Sequence, residues 1–412
     1  MKDHSCDSFR DAMSRRSALK LGALGLVPWL LSSSALSQVK IDAKRRGHSL
    51  VVLFLRGGSD GLNMLVPYNE DTYYRARPSL AIPKPNDARV AENLRGIKIN
   101  DHFAIHPSLG PLKKWYDQGT MAMVHAVGSE DTTRSHFEAM SAMERGASNG
   151  ISGEPSGWLA RYLNKTQSQD DTPLRAVAWA NTMPDSLRGA PSPLVVQSIS
   201  DFQLNTDNKF LEMLKDQYNS NGKQAQSLVH GAGAQTLEAL AKIEKLDPKN
   251  YKASGGAVYP TTAIGQGFRE VASLLKSDLG LEIACLEDTG WDSHFAQGGN
   301  IGIHANNLNS VATTVDAFLT DIGPKAKEIT LIVMTEFGRR VEENASLGTD
   351  HGRASVMMAF GDVDGGKIHG DWPGLEKHQL DSVGDLKPVN DYRKVLTQFL
   401  APKMPEIANV WV

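Results

Sequence analysis

The sequence predicts an α/β fold with a doubly wound, mainly parallel sheet. Three observations predict it: fully apolar runs recur along the 412 residues, helical patterns separate them, and polar residues follow several of them. A run that is apolar at every position is typical of a strand covered on both faces. Strands that alternate with helices form parallel sheets, because each helical crossover returns the chain to the same edge.

The predicted strands are short segments rich in Val, Ile, Leu and Met. They cover residues 49–55, 121–127, 174–180, 194–197, 281–286, 328–335 and 354–360. The predicted helices carry apolar residues three or four positions apart. They begin near residues 107 and 132 and cover 158–163, 268–279, 306–322 and 392–400. Residues 147–260 are predicted to be a peripheral or inserted helical region of one domain that spans 38–412, with its boundary left open.

The N-terminal segment has the features of an export signal. Arg15 and Arg16 precede an apolar stretch, and Ala35-Leu36-Ser37 is typical of a cleavage site. We predict that residues 1–37 are a twin-arginine signal peptide, that the twin-arginine translocase is the export partner, and that the mature protein is periplasmic or extracellular. The apolar stretch is shorter than the roughly 20 residues that span a membrane, so no stable span is expected in the mature chain.

Composition excludes one large class of partners. The chain is 41% hydrophobic and 22% charged, with a net charge of −3, which is typical of a globular protein. It has no long block of Lys and Arg, so nucleic acid is not expected as a partner.

Two pairs of polar residues predict a metal site. Asp292 and His294 follow one predicted strand, and Asp350 and His351 follow another. Carboxylate oxygen and neutral imidazole nitrogen are ligands for divalent metals such as zinc. The loops at the carboxyl ends of parallel strands meet at one edge of the sheet. The two pairs therefore predict a metal-binding edge.

Several segments occur in an order that resembles a known family. They are Arg56-Gly57-Gly58-Ser59-Asp60-Gly61, Arg134-Ser135-His136-Phe137, Trp291-Asp292-Ser293-His294, Thr335-Glu336-Phe337-Gly338-Arg339, Gly348-Thr349-Asp350-His351-Gly352 and Gly365-Gly366-Lys367-Ile368-His369-Gly370. Over residues 48–400 the sequence resembles an exported bacterial family called domain of unknown function 1501. That family is grouped with the alkaline phosphatase and sulfatase superfamily. The resemblance therefore implies an alkaline phosphatase-like or sulfatase-like fold.

The resemblance also implies roles for individual residues. Asp60 fits the metal ligand at the end of the first strand, and Ser135 fits the nucleophile at the start of a helix. Thr132 and Thr133 are alternatives to Ser135. Arg134 or Arg339 fits a clamp for phosphate or sulfate, since guanidinium binds such anions through two hydrogen bonds. Asp292 and His294 fit the later ligand pair, although they are two residues apart where the superfamily has four.

The position of one further carboxylate ligand stays open. In the superfamily an Asp-His-Gly segment follows its strand directly. Here Glu336 follows the strand, and Asp350 comes 14 residues later. In one mapping a loop carries Asp350 and His351 back to that position. In the other, Glu336 is the carboxylate ligand, Phe337 replaces a ligand and His351 serves as a distal one.

The expected function is that of an exported, metal-dependent hydrolase of small phosphate or sulfate esters. Ser135 would be its nucleophile, and a divalent metal, with zinc as a candidate, its cofactor. The alternative is a non-catalytic periplasmic binding or assembly protein that keeps the fold with an incomplete metal site. His136, His304 and His369 are interpreted as surface or packing histidines, and His369 is the one of the three that best fits an extra ligand.

Overall fold

Buried apolar strands build a central sheet in the computed structural model of the protein, which describes residues 47–147, 153–168, 171–200, 213 and 228–412. The predicted signal peptide, with its paired arginines, lies outside these residues. Within the described part of the chain, no helix combines the length and the apolar character that a membrane span requires.

Twelve strands form two sheets in the described residues. In chain order they are β1 (Ser49–Leu55), β2 (Leu65–Val66), β3 (Ile97–Lys98), β4 (Ala104–Ile105), β5 (Met121–Gly128), β6 (Ala176–Trp179), β7 (Leu194–Val196), β8 (Ile283–Asp288), β9 (Ile329–Met334), β10 (Ser355–Gly361), β11 (Ile368–His369) and β12 (Asn390–Asp391). The main sheet has the order β11-β5-β10-β9-β1-β8-β6-β7, with β12 also paired to β5, and β2, β4 and β3 form a small second sheet.

The main sheet is mixed and mainly parallel. Strand β1 runs parallel to β8 and β9, and β6 runs parallel to β7 and β8. Strand β10 is antiparallel to both β5 and β9. The prediction of an α/β fold with a mainly parallel sheet is confirmed. Strand β10 reverses because residues 335–354 return to the sheet without the helical crossover that a parallel connection uses.

Helices cover both faces of this sheet. They are α1 (Gly61–Met64), α2 (Asp71–Ala76), α3 (Lys113–Asp117), α4 (His136–Arg145), α5 (Trp158–Lys165), α6 (Leu228–Leu246), α7 (Ala263–Lys276), α8 (Ile303–Ile322) and α9 (Tyr392–Leu400). Alternate side chains of β1 enter two different cores. Val51 and Leu53 pack in the core with α7 and α8, and Leu50 and Val52 pack in the core with α5 and α9. This two-sided burial explains why the strand is apolar at every position.

The middle of the chain contributes to the main sheet as well as to its periphery. Strands β6 and β7 fall within residues 147–260 and extend the sheet beyond β8. Much of the rest of that interval, including residues 201–212 and 214–227, lies outside the described residues. An inserted helical region therefore stays a prediction.

The strand directions place one set of loops together. Strands β5, β9, β1 and β8 all point the same way, because β10 is antiparallel to both β5 and β9. The loops after β5, β8 and β9 therefore emerge at the same edge. The antiparallel strand β10 starts at that edge, so the loop before it lies there too.

Candidate metal centre

Three of these loops bring histidine and aspartate side chains together. His136 begins α4 after β5, Asp292 follows β8, and His351 precedes β10. One ligand atom from each of the three lies within 4.8 Å of the others. Asp292 and His351 were predicted as ligands, and His136 was not. In the described residues these three side chains form a candidate metal-binding triad.

The carboxylate of Asp292 is the centre of the group, and His294 joins it. Its Oδ1 atom lies 3.2 Å from Nε2 of His294 and 3.2 Å from Nε2 of His351. Its Oδ2 atom lies 3.5 Å from Nε2 of His136. The Nε2 atoms of His294 and His351 are 2.8 Å apart. We call His136, Asp292, His294 and His351 the His–Asp cluster.

Each histidine of the cluster is oriented by an oxygen atom behind it. The Nδ1 contacts are His136 with Glu336 at 2.8 Å, His294 with Asp350 at 3.1 Å and His351 with the carbonyl of Arg134 at 2.8 Å. A carbonyl or carboxylate oxygen accepts hydrogen bonds, so a ring that donates from Nδ1 keeps its Nε2 lone pair for a metal ion in the cluster. Histidines that bind metals are oriented in the same way.

His136 is a candidate ligand that its sequence context did not predict. Its Nε2 atom is buried and has no hydrogen-bond partner among the described residues. A buried nitrogen without a partner costs free energy unless something else coordinates it. Its hydrogen bond to Glu336 raises the pKa of His136 and makes the neutral ring a better electron donor. The feature of the sequence that could have indicated His136 is its place in the first turn of a helix that follows a buried strand.

Asp292 is ionised at neutral pH. Burial raises its pKa, but the hydrogen bond and the charge of Arg339 outweigh burial and hold the pKa of Asp292 at about 2. Nη2 of Arg339 lies 2.6 Å from Oδ1 of Asp292. The Arg339 guanidinium is buried and also donates to the carbonyls of Gly58 and Thr349 at 2.7 and 2.8 Å. Arg339, one of the two alternatives for a substrate clamp, therefore orients Asp292 through its hydrogen bond to that carboxylate.

The two competing carboxylates, Glu336 and Asp350, have the same position relative to the cluster. Each lies on the Nδ1 side of a histidine, Glu336 behind His136 and Asp350 behind His294. Glu336 is also held by the backbone N–H of Gly57 at 2.8 Å. The structure therefore places both as orienting acceptors, while His351 is in the cluster itself.

Asp60, which was predicted as a metal ligand, lies among other buried polar side chains. Both of its oxygens accept hydrogen bonds from Arg77, at 2.6 and 3.0 Å, and Oδ2 also accepts one from Gln297 at 2.6 Å. Burial raises the pKa of Asp60, and the charge of Arg77 more than offsets it, so the pKa is lowered. The structure does not bring this carboxylate into the His–Asp cluster, because a buried guanidinium already neutralises it.

Ser135 and Arg134 lie at the border of the cluster. Ser135 caps α4, and its Oγ accepts a hydrogen bond from the backbone N–H of Glu138 at 3.5 Å. The guanidinium of Arg134 donates to the carbonyl of His351 at 2.8 Å and to Asp385 at 2.5 Å. Since the Arg134 carbonyl also accepts from Nδ1 of His351, this arginine holds His351 from two sides.

Phe337 lies beside the cluster and does not coordinate. Its ring packs against the rings of His136 and His351, with centroids 4.8 and 4.9 Å away. The side chain is buried and limits the orientations that the two imidazoles can adopt.

Comparison with known proteins identifies the family and little else. Comparison with curated proteins finds no match. One solved structure, that of the PH0037 protein from Pyrococcus horikoshii, is similar at 10% identity with a TM-score of 0.31, over 89% of this chain and 98% of that chain. The model of a family described as protein of unknown function (DUF1501) matches residues 47–393, so the chain belongs to that family.

Proposed function

We propose that this protein is an exported hydrolase of phosphate or sulfate esters that depends on one divalent metal ion. The ion would be held by the His–Asp cluster. The observation that carries the proposal is the shared orientation of three histidines, whose Nδ1 atoms face oxygen acceptors and whose Nε2 atoms face one ionised carboxylate. Three imidazoles and one carboxylate suit zinc and similar ions.

The chemistry of the donor set fits a cation. Asp292 brings a negative charge, and the unpartnered Nε2 of His136 faces its carboxylate. When bound, a divalent ion would supply Lewis-acid chemistry, which polarises an ester and favours an ionised nucleophile at neutral pH. The residues behind the cluster hold the ligand atoms in place, since Glu336 and Asp350 each fix one ring.

Ser135 is the proposed nucleophile, and the charges around it suit an anionic ester. It stands at the N-terminus of α4, directly before His136, where free backbone N–H groups and the helix dipole favour negative charge. Arg134 adds a partly exposed guanidinium beside the cluster. An alkaline phosphatase-like or sulfatase-like fold is part of this proposal, supported by the mainly parallel sheet whose loops carry the cluster at one edge.

Metal content and turnover test the proposal together. The full chain would be expressed in a host with a twin-arginine pathway, and the folded protein purified from the periplasm. We expect about one equivalent of a transition metal and turnover of aryl phosphate or aryl sulfate. Asp292→Ala and His136→Ala should lose both. The control is His369→Ala, because His369 contacts the Asp364 carbonyl and Gln398 instead of the cluster. Less than about half an equivalent of metal, with no turnover, would overturn the proposal.

The role of Ser135 can be separated from its capping contact. Ser135→Asn keeps a side-chain oxygen that can cap α4 but removes the hydroxyl nucleophile. We expect unchanged metal content and turnover reduced by at least about 1,000-fold. Ser135→Thr keeps both the cap and the hydroxyl and should retain turnover. Equal activity in the wild type and Ser135→Asn would remove Ser135 from the mechanism.

Export is proposed from the paired arginines. Substitution of Arg15 and Arg16 by lysine should leave the protein in the cytoplasm, whereas the unaltered chain should be processed near residue 37 and recovered from the periplasm. Periplasmic recovery of the double lysine variant would contradict the twin-arginine route.

One observation favours a second candidate, a metal-binding periplasmic protein without catalysis. Asp60, which fits a ligand position of the superfamily, is neutralised by Arg77 and lies outside the cluster. In this candidate the metal site has fewer ligands than a complete phosphatase site. A protein that binds one equivalent of metal and turns over neither ester would support this candidate over the hydrolase.

A further inference from the structure

Two loops carry three of the four residues of the His–Asp cluster, and both are tied to one side chain. The first loop holds Asp292 and His294, and the second holds His351. Ser293 lies between Asp292 and His294, and Thr349 lies two residues before His351. Both donate their hydroxyl hydrogens to Oε1 of Gln297, at 2.8 and 2.6 Å. The backbone N–H of Thr349 also donates to the carbonyl of Ser293 at 3.0 Å.

The orientation of the Gln297 amide follows from its partners. Its Oε1 accepts from two hydroxyls, and its Nε2 donates to Oδ2 of Asp60 at 2.6 Å. Asp60 is ionised and only accepts, so the amide cannot flip without losing all three hydrogen bonds. Gln297, Thr349 and Asp60 are fully buried and Ser293 nearly so, which makes each lost contact costly.

Arg77 connects this network to the rest of the second loop. Besides its two hydrogen bonds to Asp60, the buried guanidinium donates to the carbonyls of Val341 and Arg340 at 2.9 and 2.8 Å. The backbone N–H of Gln297 donates to the carbonyl of Leu347 at 2.9 Å. Contacts from Gln297 and Arg77 therefore hold residues 340–349 at several points.

We infer that Gln297 is a positioning residue of the metal centre, and that Asp60 serves the centre by holding Gln297. Gln297 fixes the separation of the two loops, and with it the distance of Asp292 and His294 from His351. This inference rests on the proposed metal centre. Partners that orient metal ligands change metal affinity by roughly 10–100-fold when they are removed. A comparable effect is expected here, although Gln297 touches none of the four cluster side chains through a hydrogen bond of its own.

Cobalt(II) is the probe for this inference, because its visible absorption reports the geometry of its ligands. The full-length protein, stripped of metal, would be titrated with cobalt(II) in competition with a chelator. Gln297→Met keeps the length of the side chain and removes all three hydrogen bonds. We expect it to bind cobalt(II) about 10–100-fold more weakly than the wild type and with an altered absorption spectrum.

Thr349 offers a matched pair of variants. Thr349→Val removes the hydroxyl at nearly constant shape, and Thr349→Ser retains it. Thr349→Val should weaken cobalt binding, Thr349→Ser should restore it, and Thr349→Val should add little in a Gln297→Met background, since the contact is already lost. This pair also carries the test if Gln297→Met does not fold.

Two results would overturn the inference, and they differ from each other. If the wild type binds cobalt(II) and Gln297→Met or Thr349→Val binds it with the same affinity and spectrum, Gln297 does not position the centre. If the wild type itself binds no cobalt(II), the metal centre fails, and the role of Gln297 fails with it.

Discussion

Two aspartates show how neighbouring side chains decide the chemistry of one residue type. Asp60 and Asp292 both follow strands of the main sheet, and both accept hydrogen bonds from a buried arginine. Asp60 is fully buried, with both oxygens bound to Arg77. Asp292 is 47% exposed, and its Oδ2 faces His136. Only Asp292 therefore keeps an oxygen directed at the histidines.

The acceptors behind the histidines give the prediction at this scale. Glu336→Gln and Asp350→Asn keep the size of each side chain but replace a carboxylate acceptor with an amide. We expect each to weaken metal binding by about 10–100-fold, because the histidine in front becomes less basic and less well oriented. Asp292→Ala should weaken binding further, since it removes a ligand. Chelator competition measures all three affinities. A Glu336→Gln or Asp350→Asn variant as weak as Asp292→Ala would show that the carboxylate coordinates directly.

At the scale of elements, the cluster depends on close contact between two loops. Gly348 packs against the loop of Ser293 and His294. A Cβ atom on Gly348 would lie 2.4 Å from the carbonyl carbon and oxygen of His294. Real Cβ atoms do not approach backbone atoms this closely, so a side chain there would force the loops apart.

Gly348→Ala should therefore damage the centre. We expect a loss of about 1–3 kcal/mol in the free energy of unfolding, as for overpacked sites, together with weaker metal binding. Gly153→Ala is the matched control, because a Cβ atom added there would have no atom within 4 Å among the described residues. Urea unfolding and chelator competition measure the two quantities. Equal values for Gly348→Ala and Gly153→Ala would contradict the close packing of the two loops.

At the scale of the whole molecule, three buried histidines set the response to acid. Burial lowers the pKa of His106 to about 4 and the pKa values of His125 and His304 to about 3, from an ordinary 6.5. In His125, Nε2 contacts the Leu65 carbonyl at 2.8 Å and Nδ1 accepts from the Ala126 N–H at 2.9 Å. That ring cannot take a second proton without losing a hydrogen bond.

Stability should consequently fall in mild acid. The folded pKa values are depressed, so the unfolded chain takes up protons first as the pH drops below about 6.5. The stabilisation is complete above about pH 6.5 and is lost progressively toward about pH 3–4. The three histidines contribute a slope of about 4 kcal/mol per pH unit near pH ~5. Part of this slope is offset by Glu144 and Asp288, because burial raises their pKa values to about 7 and about 6 and the folded chain takes up their protons first. Urea unfolding of the metal-free protein between about pH 7 and 5 measures it. Stability that does not fall over this range would contradict the assignment.

The burial of a strand could be predicted because the apolar pattern that indicates it lies in the strand's own residues. Strand β1 was predicted at residues 49–55 and is Ser49–Leu55, since a strand buried on both faces is apolar at each position. The direction of β10 was not predictable from its own residues, because direction depends on the path of residues 335–354. The helix near residue 107 begins with a 3-10 segment, Pro107–Leu112, because Pro111 lacks a backbone N–H.

The sequence by itself determined the mainly parallel sheet, the edge at which its loops meet, and the presence there of Asp292, His294 and His351. These features follow from apolar patterning and from polar residues that come soon after strands. Only the tertiary structure decided that His136 faces Asp292, that Glu336 and Asp350 stand behind histidines, and that Asp60 pairs with Arg77. The physical reason is that a carboxylate binds whichever donor the fold brings within about 3 Å, and such donors lie anywhere along the chain.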